Sequence, residues 1–259
     1  MTGGATGVTG GATGVTGGAT GVTGEATGVM GEATPGAEAV LRTLDEQLHP
    51  PHTALVVVDM QNDFCAEGGY LQRERGYDVS AIPAIAAAIR CLVAAARSAG
   101  VAVVWLRSVY DFKYLTGAHI AKRVTEGCCM EGSWGADFYE LRPAAGDAVI
   151  DKHHFSGFCN TSLDRELRAR GVRTLVMTGV ATNVCVDSTL REGFFLGYNI
   201  VVAEDCVGSN SRAGHEGTLA TVRNNIGAVV DSTALIDTFQ RLASKALMRS
   251  SDRRAASAS

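Results

Sequence analysis

Thr53-Ala-Leu-Val-Val-Val-Asp59 is a short run of apolar, mostly β-branched residues that closes on a carboxylate. Six unbroken apolar or small positions are too few for a helix of typical length. They suit a strand covered on both faces, as in a parallel sheet. The rest of the chain repeats the theme. Val101-Ala-Val-Val-Trp-Leu106 reads as a second buried strand, Ala148-Val-Ile-Asp151 as a short third, and Val172 to Thr178 as a fourth. Asn199 to Ala203 and Ala228 to Val230 are the fifth and sixth.

Helical patterns lie between these runs. Ser80 to Ser98 is alanine-rich with apolar residues at helical spacing, and Gly100 follows as a C-terminal cap. Thr161 to Arg170 is a helix closed by Gly171. Asn183 to Phe195, Arg212 to Asn225 and Ser232 to Lys245 complete the set. Strands alternating with helices imply right-handed βαβ units and a parallel sheet with helices on both faces. In such sheets ligands bind beyond the carboxyl ends of the strands.

Three residues of chemical interest sit at such ends. Asp59 closes the first strand, Lys152 follows the third, and Cys185 follows the fourth within Thr178-Gly-Val-Ala-Thr-Asn-Val-Cys185. A free thiol is mostly protonated at neutral pH, its pKa being about 8.5. The first turn of a helix and a nearby ammonium both favour the thiolate, so Cys185 is expected to have a lowered pKa. A carboxylate can take the thiol proton and return it to a leaving nitrogen. Backbone N–H groups at the strand–helix turn can receive an oxyanion. Taken singly, each residue also has a plain structural use: a core cysteine, a turn aspartate, a solvated lysine.

Composition narrows the classes. The chain has 259 residues, 46% hydrophobic, enough for one domain with a sizeable core. A formal charge of −4 leaves no basic surplus to argue for nucleic-acid binding, and Arg253 and Arg254 read as part of a solvated tail. No apolar run reaches the roughly 18 residues of a membrane span. Seven cysteines with no C-x-x-C pair and no signal-peptide pattern lead to the expectation of free thiols in a reducing cytoplasm. No G-x-G-x-x-G follows a strand, so no dinucleotide is expected. Residues 1–36 are a degenerate seven-residue repeat, TGGATGV three times, then TGEATGV and MGEATPG. They hold 13 of the 31 glycines, each costing about 1 kcal/mol in a helix. This segment is expected to be a disordered tail, with a folded domain over 37–247 and a second tail over 248–259.

Two stretches resemble a known family. Ala54-Leu-Val-Val-Val-Asp59-Met-Gln-Asn-Asp-Phe64 is similar to the opening motif of the isochorismatase-like cysteine hydrolases, and Gly179-Val-Ala-Thr-Asn-Val-Cys-Val186 to their nucleophile motif. Lys152 matches the family lysine. The resemblance spans about residues 50 to 245. It implies a three-layer α/β/α sandwich around a six-stranded parallel sheet, with Asp59, Lys152 and Cys185 as a catalytic triad. It implies a cis peptide between Val180 and Ala181 that aims the Ala181 N–H, with that of Cys185, at an oxyanion. It also implies a homo-oligomer, dimer or tetramer.

Family members that act on a vinyl ether lack the cysteine, so Cys185 points to the amidase branch. Nicotinamidases of that branch bind a metal through an aspartate and paired histidines after the second strand. Here that stretch reads Leu106-Arg-Ser-Val-Tyr-Asp-Phe-Lys-Tyr114, without Asp-x-His. His52 and His119 read as surface residues, and strand alternation sends His153 and His154 to opposite faces. No metal or other cofactor is expected. Phe155-Ser-Gly-Phe158, Asn160-Thr161 and Thr189-Leu-Arg-Glu-Gly-Phe-Phe-Leu196 look most like ureidoacrylate amidohydrolases. Two departures are Phe rather than Tyr at 155 and the absence of an Asn–Gly–Trp run after Trp105. The implied substrate is a small ureido or carbamoyl compound, with biuret and N-carbamoyl amides as alternatives. Gln61, Phe64 and Phe155 are the expected substrate contacts. The alternative of another class is a non-catalytic scaffold on the same fold.

Overall fold

The computed structural model describes residues 39–122 and 126–257. The tail expected over 1–36 lies outside them. From Leu41 onward the chain is one compact unit. Its centre is β1, Thr53–Val58, with all six residues buried. It pairs in parallel with β2 (Ala102–Ser108) on one side and β4 (Thr174–Val180) on the other. With β3 (Ala148–Lys152), β5 (Asn199–Gly208) and β6 (Gly227–Val230) these form one six-stranded sheet, order β3-β2-β1-β4-β5-β6. Every pairing is parallel.

Strand alternation sorts the core into two layers. Leu55 and Val57 of β1, with Val103, Trp105 and Val176, face helices α1 (Ile82–Ser98) and α5 (Ser232–Ser257) through Ile89, Leu92, Leu235 and Phe239. Ala54, Val56 and Val58 face the other side, where Leu163 and Leu167 of α2 (Leu163–Ala169), Leu190 of α3 (Asp187–Phe195) and Leu219 of α4 (Arg212–Thr221) pack. The result is a three-layer α/β/α sandwich.

Helix α1 forms because Ile82, Ala86, Ile89, Leu92 and Ala96 fall on one buried stripe, with proline in the first turn where no N–H is needed. Gly100, at φ +79°, ends it. Gly179 has a stricter role. Its φ is +102°, and a Cβ there would collide with the Val58 backbone, so β4 can lie against the end of β1 only with glycine at that place.

Several boundaries differ from expectation. β5 continues to Gly208 rather than stopping at Ala203, because the β4–β5 register shifts between Met177 and Gly179 and pairing resumes at Val207. Glu204 and Asp205 are exposed within that irregularity, and their polarity mimics a strand end in sequence. The expected helix over 183–195 is a π-helical turn, Thr182–Val186, followed by α3. Both the Val184 and Val186 N–H groups donate to the Ala181 carbonyl, which widens the turn. The segment expected as a tail over 248–259 is helical as far as the described residues go. α5 runs on to Ser257, since Ala, Leu, Met and Arg favour helix and neither glycine nor proline interrupts them. Among the described residues no helix is long and apolar enough to cross a membrane.

Candidate active site

Four adjacent strands end at one place. β1 delivers Asp59, β2 delivers Ser108 and Tyr110, β3 delivers Lys152, and the turn after β4 delivers Cys185. Asp59 is 1% exposed and Lys152 0%. The Lys152 ammonium meets Asp59 Oδ2 at 2.9 Å. It donates to Ser108 Oγ at 2.9 Å and to the His154 carbonyl at 3.1 Å. Ser108 in turn donates to Asp59 Oδ1 at 3.0 Å. The Tyr110 hydroxyl lies 3.5 Å from Lys152 Nζ and 3.8 Å from Cys185 Sγ. Asp59 Oδ2 faces the ammonium, and the carboxylate is also within hydrogen-bonding reach of the Cys185 thiol, the group whose proton it is placed to receive. Asp59 itself is held at φ +52°, an unusual conformation for a residue with a side chain. Its N–H donates to the Leu106 carbonyl at 3.0 Å, which ties the turn to β2.

Burial dominates the electrostatics. It pushes the Cys185 thiol up to about 12. The Lys152 charge and the Tyr110 hydroxyl pull it down, whereas the Asp59 carboxylate pushes the same way as burial. The expected lowering is thus reversed. Cys185 lies inside a closed π-turn beside a carboxylate, not on an open first helical turn, and desolvation outweighs the ammonium. Burial acts on Lys152 in the opposite sense, but the neighbouring Asp59, Cys185 and Tyr110 outweigh it and hold the ammonium above the usual lysine range. The resting arrangement is a neutral thiol next to a carboxylate–ammonium pair.

A cavity of about 410 Å³ opens onto Asp59 and Cys185, a size suited to a small molecule. Phe64, Tyr110 and Phe155 form its aromatic wall, and Arg212 and His215 lie at its polar side. The Val180–Ala181 peptide is cis, and both residues line the cavity. Gln61 does not reach it. Its amide donates to the Ser108 and Ala136 carbonyls at 2.9 Å each and accepts the Ser108 N–H at 2.7 Å. Both N–H donors and one acceptor site of this amide, where a substrate contact was expected, are thus taken by buried backbone groups. His119 is likewise not a plain surface residue. Its ring stands edge-on to Tyr110 and Phe155 at 5.4 and 5.1 Å. His153 turns away from the site, with Nδ1 2.7 Å from the Val109 carbonyl and its ring stacked on Tyr114.

The comparisons agree with this frame. Residues 53–234 match the family model described as an isochorismatase domain. The chain belongs to the isochorismatase family. Among curated isochorismatase relatives, a ureidoacrylate amidohydrolase from Acinetobacter baylyi is 37% identical over 225 residues, covering 79% of this chain and 91% of that protein. One from an Enterobacter species is 44% identical over 173 residues, 60% of this chain and 75% of the relative. Among solved structures, a cysteine hydrolase from Pseudomonas syringae pv. phaseolicola superposes with a TM-score of 0.70 at 28% identity, covering 80% of this chain and 99% of that one. An N-carbamoylsarcosine amidase from Thermoplasma acidophilum gives 0.58 at 29% identity, covering 70% and 96%.

Within this isochorismatase-family site, Ser108 and Tyr110 escaped sequence reasoning. The strand-end rule reaches them, since they follow β2, but uncharged hydroxyls carry no pattern of their own. Among the described residues one group has metal-ligand character: Asp63, Cys128 and Cys129, with ligand atoms within 4.8 Å of one another. The Asp63 carboxylate there already accepts the Tyr70 and Cys129 N–H groups.

Proposed function

We propose that this isochorismatase-family hydrolase cleaves the C–N bond of a small ureido compound of the ureidoacrylate type, with Cys185 as nucleophile. The observation that carries the reading is the buried Cys185–Asp59–Lys152 cluster at the floor of the cavity. The names of the curated relatives support the ureido group as the reacting centre.

Asp59 takes the thiol proton as Cys185 sulfur attacks the ureido carbonyl carbon. The oxyanion is received by the N–H groups of Ala181 and Cys185. Asp59 then gives the proton to the departing nitrogen, and the C–N bond breaks. The amine leaves, and a carbamoyl thioester remains on Cys185. Water, deprotonated by Asp59, attacks the thioester. The sulfur departs and is reprotonated, releasing carbamate, which decomposes to ammonia and carbon dioxide. The Lys152 ammonium, 2.9 Å from Asp59, pairs with the carboxylate before it takes each proton and after it returns it. Phe64 and Phe155 flank the substrate. A scaffold would have no use for a charged pair buried beside a thiol at a cavity floor, since such a pair adds little stability over apolar packing.

The same bond occurs in biuret and in N-carbamoyl amides, and the likeness to the Thermoplasma amidase favours the latter as second reading. None of the seven cysteines is in a disulfide, which supports a reducing, cytoplasmic setting. Phe195, 80% exposed beside Phe194 and Leu196, supports burial of that corner in a homo-oligomer. The acidic net charge supports small-molecule rather than nucleic-acid partners.

An ammonia-release screen over ureidoacrylate, biuret, N-carbamoyl amino acids and nicotinamide tests the proposal. Ureidoacrylate should be turned over, and Cys185→Ala should lose the activity at least a thousandfold. Release from nicotinamide alone, or full turnover by Cys185→Ala, would overturn it.

A further inference from the structure

We propose that Tyr110 is a catalytic residue, its phenol donating a hydrogen bond to the Cys185 sulfur that strengthens as the thiol proton passes to Asp59. The inference rests on the cysteine-hydrolase reading above and adds a fourth side chain to the reacting atoms.

The direction of each hydrogen bond follows from one fact. A lysine ammonium has three N–H donors and no lone pair. Ser108 Oγ, which receives one of those protons at 2.9 Å, must turn its own hydrogen away, and Asp59 Oδ1 lies 3.0 Å off to accept it. Tyr110 repeats the arrangement one layer out. Its oxygen faces Lys152 Nζ at 3.5 Å, and Cys185 Sγ lies 3.8 Å away, within reach for a sulfur acceptor. The ammonium thus leaves each hydroxyl its own hydrogen, which Ser108 gives to the base and Tyr110 has the nucleophile within reach to receive. Both come from the segment after Trp105 that lacks the Asn–Gly–Trp run of the ureidoacrylate enzymes.

The setting makes this contact count. Tyr110 is 1% exposed and Cys185 7%, so little water competes for the sulfur. A hydrogen bond to a charged group is worth more than one to a neutral group, and more still in a low dielectric. The contact therefore favours the thiolate that forms during attack over the resting thiol, which is the condition for lowering a barrier. The proton balance is unchanged: the thiol proton goes to Asp59, and Tyr110 keeps its own. The ring does not depend on its hydroxyl for placement. The Tyr110 N–H donates to the Cys129 carbonyl at 3.1 Å, and the ring packs edge-on to Phe64 and His119.

Tyr110→Phe removes the hydroxyl and leaves those contacts. With the ureido substrate that the wild type turns over, kcat should fall about ten- to a hundredfold, with KM within twofold. In parallel, iodoacetamide labelling of Cys185, read by mass spectrometry of its peptide across pH, should shift its midpoint upward by about one unit, while labelling of exposed Cys91 stays unchanged. An unmoved Cys185 midpoint in a variant with wild-type thermal stability would overturn the proposal, whatever happens to kcat. The labelling arm needs no substrate, so failure of the ureido reading and failure of this one are separate results. Should Tyr110→Phe be unstable, Tyr110→Trp, which restores a ring donor, must label closer to wild type than Tyr110→Leu does; equal midpoints in those two variants refute the role.

Discussion

Replacing Lys152 with methionine should be among the most destabilising single changes at the site, and the structure allows the effect to be worked out. The ammonium and the Asp59 carboxylate are 2.9 Å apart and both buried. At an effective dielectric of about 20 their attraction is about 6 kcal/mol. In the wild type it offsets the desolvation of both ions, so the pair as a whole adds little. In Lys152→Met the carboxylate stays buried without its counter-charge, and Ser108 Oγ and the His154 carbonyl lose a donor. Breaking one side of a buried pair costs about 3–5 kcal/mol. For a domain of this size that lowers the unfolding midpoint by roughly 6–20 °C. Circular-dichroism melts of Lys152→Met and of the double variant Asp59→Asn/Lys152→Met make the test. Asparagine tolerates the positive φ at 59 and removes the stranded charge, so the double variant should recover at least half of the loss. A single variant melting within 2 °C of wild type, or a double variant less stable than the single, would refute the reasoning. Both variants should be inactive.

Gln61→Ala should lower stability by roughly 3 kcal/mol, about 1 kcal/mol for each of the three buried hydrogen bonds removed. Because Gln61 steadies Ser108 and does not reach the cavity, its kinetic signature is a fall in kcat with KM nearly unchanged. A rise in KM at intact kcat would restore it as a substrate contact. Alkaline titration gives a further prediction. Burial pushes the thiols of Cys185 and Cys206 up to about 12, so both stay neutral in the folded chain while the unfolded chain ionises from about pH 8.5. Their contribution is complete below that pH and is lost as pH rises towards 12. Urea midpoints should therefore fall above pH 9, and Cys206→Ala should flatten the fall by up to about 1.4 kcal/mol per pH unit. A slope unchanged by that substitution would count against the buried, neutral thiol.

The parts of this molecule that were legible in sequence are those that depend on local pattern. Thr53–Val58 declares itself a central strand because nothing polar interrupts it, and its neighbours do the same. Asp59, Lys152 and Cys185 stand out because charged or nucleophilic side chains at the ends of buried strands have few structural uses. What stayed hidden depends on tertiary surroundings. An amide at 61 can point at a substrate or at two carbonyls, and only the packing of Ser108 and Ala136 decides which. Ser108 and Tyr110 acquire meaning from the ammonium between them, contributed some forty residues later. The direction of the Cys185 shift turns on burial, which helix position alone does not report. The wide turn at Thr182–Val186 rests on two N–H groups sharing one carbonyl, a detail with no residue signature.

The position of Lys152 on β3 has a consequence for how the enzyme fails. β3 is one of the two edge strands of the sheet, five residues long, with Val149 exposed and its flank held to β2 by the paired contacts of Arg107 with Asp151. Edge strands open more readily than central ones, without the rest of the fold melting. Asp59, Tyr110 and Cys185 belong to inner strands, so a brief fraying of β3 withdraws only the ammonium and leaves the other three in place. On warming, activity is therefore expected to be lost first at this edge strand, ahead of the melting of the core.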